Sequence, residues 1–195
     1  MGGVLIIFSV LLATLLWADI SNIYVWLVLL SVVGFGLIGF VDDYIKILRG
    51  RSKGLTAPQK FVGQLGVALG IGLFFYFSPA YSTELSVPFF KNFTPDLGVL
   101  YIPFAVLVIV GCSNAVNLTD GLDGLAVGPV IISAMAYTVV AWAVGNRLVS
   151  EYLLIPHIEG AGELSILMAS IVGAGLGFLW FNTYPASVFM GDVGS

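Results

Sequence analysis

Hydrophobic positions fall into six runs, about Val4 to Ala18, Val25 to Val41, Phe61 to Phe77, Leu97 to Cys112, Leu125 to Gly145 and Leu164 to Phe181, separated by polar stretches. Each run is close to the ~20 residues that a bilayer-spanning helix needs. A helix that is apolar all round is stable in lipid and not in water. The pattern therefore predicts an all-α, polytopic transmembrane bundle of about six spans, because only helices and closed barrels satisfy their backbone groups inside a bilayer. Residues 1–195 read as a single transmembrane domain, with no soluble module, low-complexity tract or repeat.

Composition strengthens that reading. Of 195 residues 59% are hydrophobic and 9% charged, against about 25% charged in soluble chains. The net charge of −4 comes from a few acids set against seven basic residues, so neither an acidic-protein role nor nucleic acid as a partner is expected. The lone Cys112 has no disulfide or metal-ligand companion and reads as a small buried hydrophobe. The first run is short and lacks the basic flank of a signal peptide; the chain is expected to be part of a longer protein.

Five of the seven basic residues, Lys46, Arg49, Arg51, Lys53 and Lys60, lie in the connection from Asp42 to Lys60. The positive-inside rule assigns that connection to the cytoplasm. Alternation then puts Ser78 to Asp96 and Asn146 to Glu163 outside, and Ser113 to Gly124 and Asn182 to Ser195 inside. The outer segment Ser78 to Asp96, with Pro79, Pro88 and Pro95, reads as an irregular link between helices. Three acidic motifs, Asp42-Asp43, Asp120 with Asp123, and Asp192, thus meet on one face, although the orientation rule uses no acidic residue.

The central motif is Asn114-Ala-Val-Asn-Leu-Thr-Asp-Gly-Leu-Asp-Gly-Leu-Ala126. It spaces Asn114, Asn117, Asp120 and Asp123 by three, so in a helical turn they share one slanting row. Polar groups placed directly after an apolar span are expensive unless water, metal or substrate meets them. Asp42-Asp43, at the expected end of the second helix, is either a helix end meeting water or a cation site; carboxylate oxygens close together suit Mg²⁺. In Phe189-Met-Gly-Asp-Val-Gly-Ser195, Gly191 and Gly194 allow a tight turn around Asp192 that is either an ordinary loop or an anion-receiving space. The basic residues either anchor the protein to anionic lipid or clamp phosphates, with Lys53 and Lys60 the better phosphate candidates. The glycines of the second and last runs, Gly34, Gly36 and Gly39 with Gly173, Gly175 and Gly177, are expected to serve tight helix packing. His157, the only histidine, falls on the outer side, away from the acids.

Carboxylates and lysines at a membrane boundary, without a serine–histidine or cysteine–histidine pair, argue against acyl or thiol chemistry and fit metal-assisted phosphoryl transfer. Mg²⁺ dependence is expected, because an acidic site would repel phosphorylated substrates without it. Acids inside spans also occur in ion transporters, which place their sites near the bilayer midplane.

Taken in order, Val41-Asp-Asp-Tyr44, the thirteen-residue central motif and Phe189 to Ser195 resemble the phospho-N-acetylmuramoyl-pentapeptide transferases. These are the bacterial branch of the polyprenyl-phosphate N-acetylhexosamine-1-phosphate transferase superfamily. The resemblance covers essentially the whole chain. It implies a catalytic domain in the bacterial cytoplasmic (inner) membrane, with its site on the cytoplasmic face. There UDP-MurNAc-pentapeptide and undecaprenyl phosphate would give lipid I and UMP with Mg²⁺. It further implies that Asp192 is the metal ligand and that Asp42 or Asp43 deprotonates or orients the lipid phosphate. Asp120, Gly121, Leu122 and Asp123 would shape the nucleotide pocket with Asn114 and Asn117, and Phe189 would stack on uracil. Expected partners are the two substrates and membrane lipid, with a homodimer as one association state. A GlcNAc-1-phosphate transferase is the nearest alternative. Family members are longer, with more spans and a histidine-rich cytoplasmic loop for which His157 cannot substitute.

Overall fold

A computed structural model of the chain describes residues 2–50, 54–78, 81–87, 90 and 93–194. Seven α-helices are seen among the described residues: α1 Gly2–Trp17, α2 Ile23–Arg49, α3 Ala57–Phe77, α4 Tyr101–Thr119, α5 Val127–Gly145, α6 Arg147–Leu153 and α7 Leu164–Asn182. Short 3₁₀ turns, Gly98–Leu100 and Ala161–Glu163, lead into α4 and α7. With its 3₁₀ lead-in where it has one, each of α2, α3, α4, α5 and α7 is long and apolar enough to cross a membrane, whereas α1, at 16 residues, is shorter. Five candidate spans and one shorter apolar helix thus stand where six runs were expected.

Local sequence sets the ends. Asn22 accepts a hydrogen bond from Tyr24 N at 2.9 Å to start α2, and Gly50, in the left-handed region at φ 57°, ends it. Pro58 occupies the first turn of α3, where the Thr56 N–H donates to Gln59 Oε1 at 3.0 Å. Two helices run further than their apolar runs. Helix α2 continues through Asp42 and Asp43 to Arg49, so these acids lie inside the helix and not at its end. Helix α4 continues to Thr119 and carries Asn114 and Asn117. The reason is shared: once a helix leaves the apolar slab, polar residues with i+3 and i+4 partners extend it at little cost. The expected row of four stops after Asn117, because Asp120 caps α4 at ψ 46° and Asp123 lies in the turns that follow.

The helices that pack together form an arc in the order α4, α3, α2, α1, α7, α5. Helices α4 and α5 are consecutive in the chain but stand at the two ends of that arc, joined by residues 120–126. Two small cores hold it. Ala126, Val127, Ile131, Phe178 and Met190 pack where α5 and α7 meet residues 188–190, and Val25, Leu29 and Leu167 pack where α2 meets α7. Outside them, large apolar side chains such as Leu107, Ile132 and Trp180 are exposed, as a lipid-facing surface requires. Cys112 is exposed too. The buried position expected for it is corrected by the same logic: a small apolar side chain on a spanning helix is as much at home against lipid as in a core.

The glycine expectation holds in part. A methyl at Gly34 or Gly36 would press on Val67 of α3 or Ile7 of α1, and one at Gly175 on Ile131 of α5, whereas Gly173 and Gly177 have open space. Gly39 packs on the backbone of Asp192 and Val193, not on a helix. Between α3 and α4 the described residues before Gly98 are irregular, with one isolated antiparallel bridge between Glu84 and Asp96 and a Thr83–Asp96 hydrogen bond among them.

Candidate active site

Residues 189–194 are held by two helices at one end of the bundle. The first N–H groups of α1, which have no partner within the helix, donate from Gly2 to Phe189 O at 2.8 Å and from Gly3 to Met190 O at 2.9 Å. From the other side Gly39 of α2 leaves room for the Asp192 backbone. Gly191, at φ 74°, turns the chain between them, and a side chain there would run into Asp43 Oδ2.

Asp192 is thereby set beside two acids of α2. Asp42, Asp43 and Asp192 each offer a carboxylate oxygen within 4.8 Å of the others. Lys46 Nζ sits among them, 2.5 Å from Asp42 Oδ2, 2.8 Å from Asp192 Oδ2 and 3.4 Å from Asp43 Oδ1. Lys60, from the first turn of α3, reaches Asp192 Oδ2 at 3.4 Å. Asp42 Oδ1 accepts from Leu55 N at 2.6 Å, tying residues 54–55 to the site. Asp43 Oδ2 is buried without a hydrogen-bond partner among the described residues. Burial pushes the Asp192 carboxyl up, but the hydrogen bond from Lys46 and the charges of Lys60 and Lys46 outweigh it and hold it down to about 2. Among the described residues three carboxylates face two ammonium groups here.

A cavity of about 200 Å³ opens beside Asp192, bordered by Lys60, Gln64, Ser113 and Asn117. Asn114 faces Gln64, which accepts from it at 2.8 Å. Asp120 lies near enough for the Asp192 charge to act on it; burial first, and that charge second, raise its pKa. These expected site residues therefore gather at one end. The others do not enter the cluster: Asp123 accepts from Ala186 N at 3.0 Å, Gly121 and Leu122 are exposed, and Phe189 is 65% exposed. Lys53 lies outside the described residues. His157 packs its ring nitrogen 3.0 Å from Val144 O, beside the α5–α6 connection and far along the chain from the acids.

Two residues that the sequence reading left out of the site belong to this geometry. Lys46 was grouped with the basic connection, yet its i+4 and i+3 spacing from Asp42 and Asp43 is the signal that places it on their helical face. Gln64 is 3% exposed inside an apolar helix; a carboxamide there, one turn after Lys60, is the corresponding signal.

The family model of glycosyl transferase family 4 matches residues 25–195. The chain belongs to this family. Among curated proteins it is 58% identical over its whole length to a phospho-N-acetylmuramoyl-pentapeptide-transferase of Citrifermentans bemidjiense. It is 57% identical to one of a Geobacter species, and 59% identical, over 196 aligned residues, to one of Maridesulfovibrio salexigens. The chain is covered fully in each case and spans 54% of the relative's length, about half of the curated proteins it matches.

Proposed function

We propose that the complete protein transfers phospho-MurNAc-pentapeptide from UDP-MurNAc-pentapeptide to undecaprenyl phosphate, giving lipid I and UMP in peptidoglycan synthesis. The observation that carries this reading is the meeting of Asp42, Asp43 and Asp192 with Lys46 and Lys60 at one end of a membrane bundle. The names of the relatives supply the reaction. Sugar-phosphate transfer between a nucleotide and a lipid needs charge neutralisation and alignment more than covalent help from the protein.

Asp43 Oδ2, without a hydrogen-bond partner among the described residues, and the spacing of the three acids fit a divalent cation, and Mg²⁺ is the cation proposed. Asp42, Asp43 and Asp192 would hold it, and it would neutralise developing charge on phosphate oxygens. Lys60 would attract the anionic substrate, and the Leu55 N–H would keep Asp42 oriented. Asp42 or Asp43 would draw the proton from, or orient, the lipid phosphate. Asn114, Asn117 and Asp120, with Gly121, Leu122 and Asp123, would border the nucleotide, and exposed Phe189 would offer a face to uracil. Lys53 is proposed as a second phosphate contact. A groove of about 970 Å³ between α3 and α4, walled by Phe61, Pro103, Leu107 and Val110, is also lined by Lys60, Gln64 and Asn114, and suits an apolar chain that carries a phosphate. The site is proposed to face the cytoplasm at the bacterial inner membrane, in a monomer or a homodimer.

UMP release from UDP-MurNAc-pentapeptide and undecaprenyl phosphate, with and without Mg²⁺, tests the reading. Asp42→Asn, Asp43→Asn and Asp192→Asn are each expected to lower the rate by at least about 100-fold. Near-normal rates in all three would refute the site. Release with UDP-GlcNAc instead would shift the substrate, and liposome ion flux without UMP release would replace transfer by transport.

A further inference from the structure

Gln64 lies in an apolar span and is 3% exposed, a placement that is expensive for a polar group unless the end that opens on a cavity meets a partner there. Its orientation follows from its neighbours. Asn114 Nδ2 is 2.8 Å from Val110 O and 2.8 Å from Gln64 Oε1. A backbone carbonyl only accepts, so the Asn114 atom that faces it is the NH₂ group. That NH₂ then spends its second hydrogen on Gln64, which must present its oxygen. The Gln64 NH₂ is left at the opposite end of the carboxamide, with no acceptor among the described residues.

Gln64 lines both the cavity beside Asp192 and the apolar groove between α3 and α4. Lys60, one turn earlier on the same face, lines both as well. An ammonium and an NH₂ side by side offer donors only, which suits a phosphate and repels a cation. Asn117 and Asp192 border the cavity and not the groove. The junction therefore suits a phosphate that arrives on an apolar chain.

We propose that Gln64 is a substrate-binding residue whose NH₂ group donates to a phosphate oxygen of the polyprenyl phosphate held by Lys60. The Val110 carbonyl and Asn114 fix it in the donating orientation. This inference rests on the transferase reading and adds to it a contact for the lipid acceptor.

Gln64→Glu in the complete protein separates binding from scaffolding. Glutamate keeps an oxygen towards Asn114 and puts a second oxygen where the NH₂ was. The KM for polyprenyl phosphate is expected to rise about tenfold or more, the loss of a hydrogen bond to a charged group, with the KM for the nucleotide sugar changed less than about twofold. If Gln64 only supports Asn114, Gln64→Glu will match the wild type, and that result overturns the proposal. A rise confined to the nucleotide-sugar KM overturns the lipid assignment.

If thermal unfolding shows that Gln64→Glu does not fold, Gln64→Met decides through direct binding. Its Kd for polyprenyl phosphate should rise about tenfold, and its Kd for the corresponding uncharged polyprenol should stay unchanged; equal changes overturn the proposal. Wild-type protein that releases no UMP would refute the transferase reading instead, and the binding comparison would still judge Gln64.

Discussion

Gly39→Ala is the sharpest test of how Asp192 is positioned, because the substitution adds one methyl and no charge. That methyl would press on the Asp192 carbonyl oxygen, 2.5 Å from the carbonyl carbon and 2.8 Å from Val193 Cα, whereas ordinary contact begins at 3.4 Å. All the atoms it meets are backbone, so no side-chain rotation relieves the clash. The loop must retreat by more than the 0.9 Å that the carbonyl carbon alone needs to reach 3.4 Å, since the carbonyl oxygen lies closer still, and the hydrogen bonds from Gly2 and Gly3 to Phe189 and Met190 hold it from behind. A displacement near 1 Å at a reacting centre costs on the order of 100-fold in rate. The accompanying overpacking costs about 1–3 kcal/mol of stability. Gly66→Ala is the control, since a methyl there has nothing within 4 Å and the helix gains from losing a glycine. UMP release, the Mg²⁺ concentration for half-maximal rate and the unfolding temperature should be measured for both variants. Gly39→Ala should fall about 100-fold in rate and need more Mg²⁺, and Gly66→Ala should do neither. Equal behaviour of the two would refute the claim that this contact sets the Asp192 geometry.

Three further outcomes are expected. Lys46→Met removes the ammonium that lies among Asp42, Asp43 and Asp192, so the metal-free protein should melt at a lower temperature and Mg²⁺ should raise its Tm more than in the wild type. An unchanged Mg²⁺ shift would show that Lys46 does not screen the acids. Asp192, held at about 2 against an ordinary 3.8, contributes stability that is present above pH 3.8 and lost as pH falls towards 2. The Tm advantage of wild type over Asp192→Asn should therefore shrink across that window and stay level above pH 5 or so; a gap independent of pH would remove the stabilising contacts proposed for this carboxylate. For topology, exposed Cys112 is first replaced by Ser, and single cysteines are placed at exposed Leu122 and Ser82. A membrane-impermeant maleimide applied to whole cells should label position 82 and spare 122, and the reverse pattern would invert the site.

Much of this arrangement was legible in the chain because lipid leaves few choices. Unbroken apolar runs fix helices, and basic residues suggest their direction, so the acids of Asp42-Asp43 and Asp192 could be expected at one end before any contact was known. Helix ends were less legible. The apolar run stops near Val41, but α2 runs to Arg49, since Lys46 pairs with both Asp42 and Asp43 on one face and the polar residues cost the helix little once outside lipid. The same extension carries Asn114 and Asn117 on α4, and the break at Asp120 splits a row that spacing alone made continuous.

The contacts that assemble the cluster were not legible, because each joins distant parts of the chain through backbone. Gly39 reads as one more small residue in a helix; its use, to admit the Asp192 backbone, appears only when residues 189–194 return to α2. Gly2 and Gly3 likewise read as small residues before an apolar run, and they donate to carbonyls almost the whole chain length away. Lys46 and Gln64 mark the boundary between these cases. Each stands one turn from a recognised polar residue, Asp42 or Lys60, so helical spacing put both within reach of the site. What spacing could not supply was the environment: three carboxylates around one ammonium, and a carbonyl that turns Asn114 and so turns Gln64. A charge or an amide inside a span is a candidate from sequence, and it becomes a binding group only when the orientation of its donors is fixed by what surrounds it.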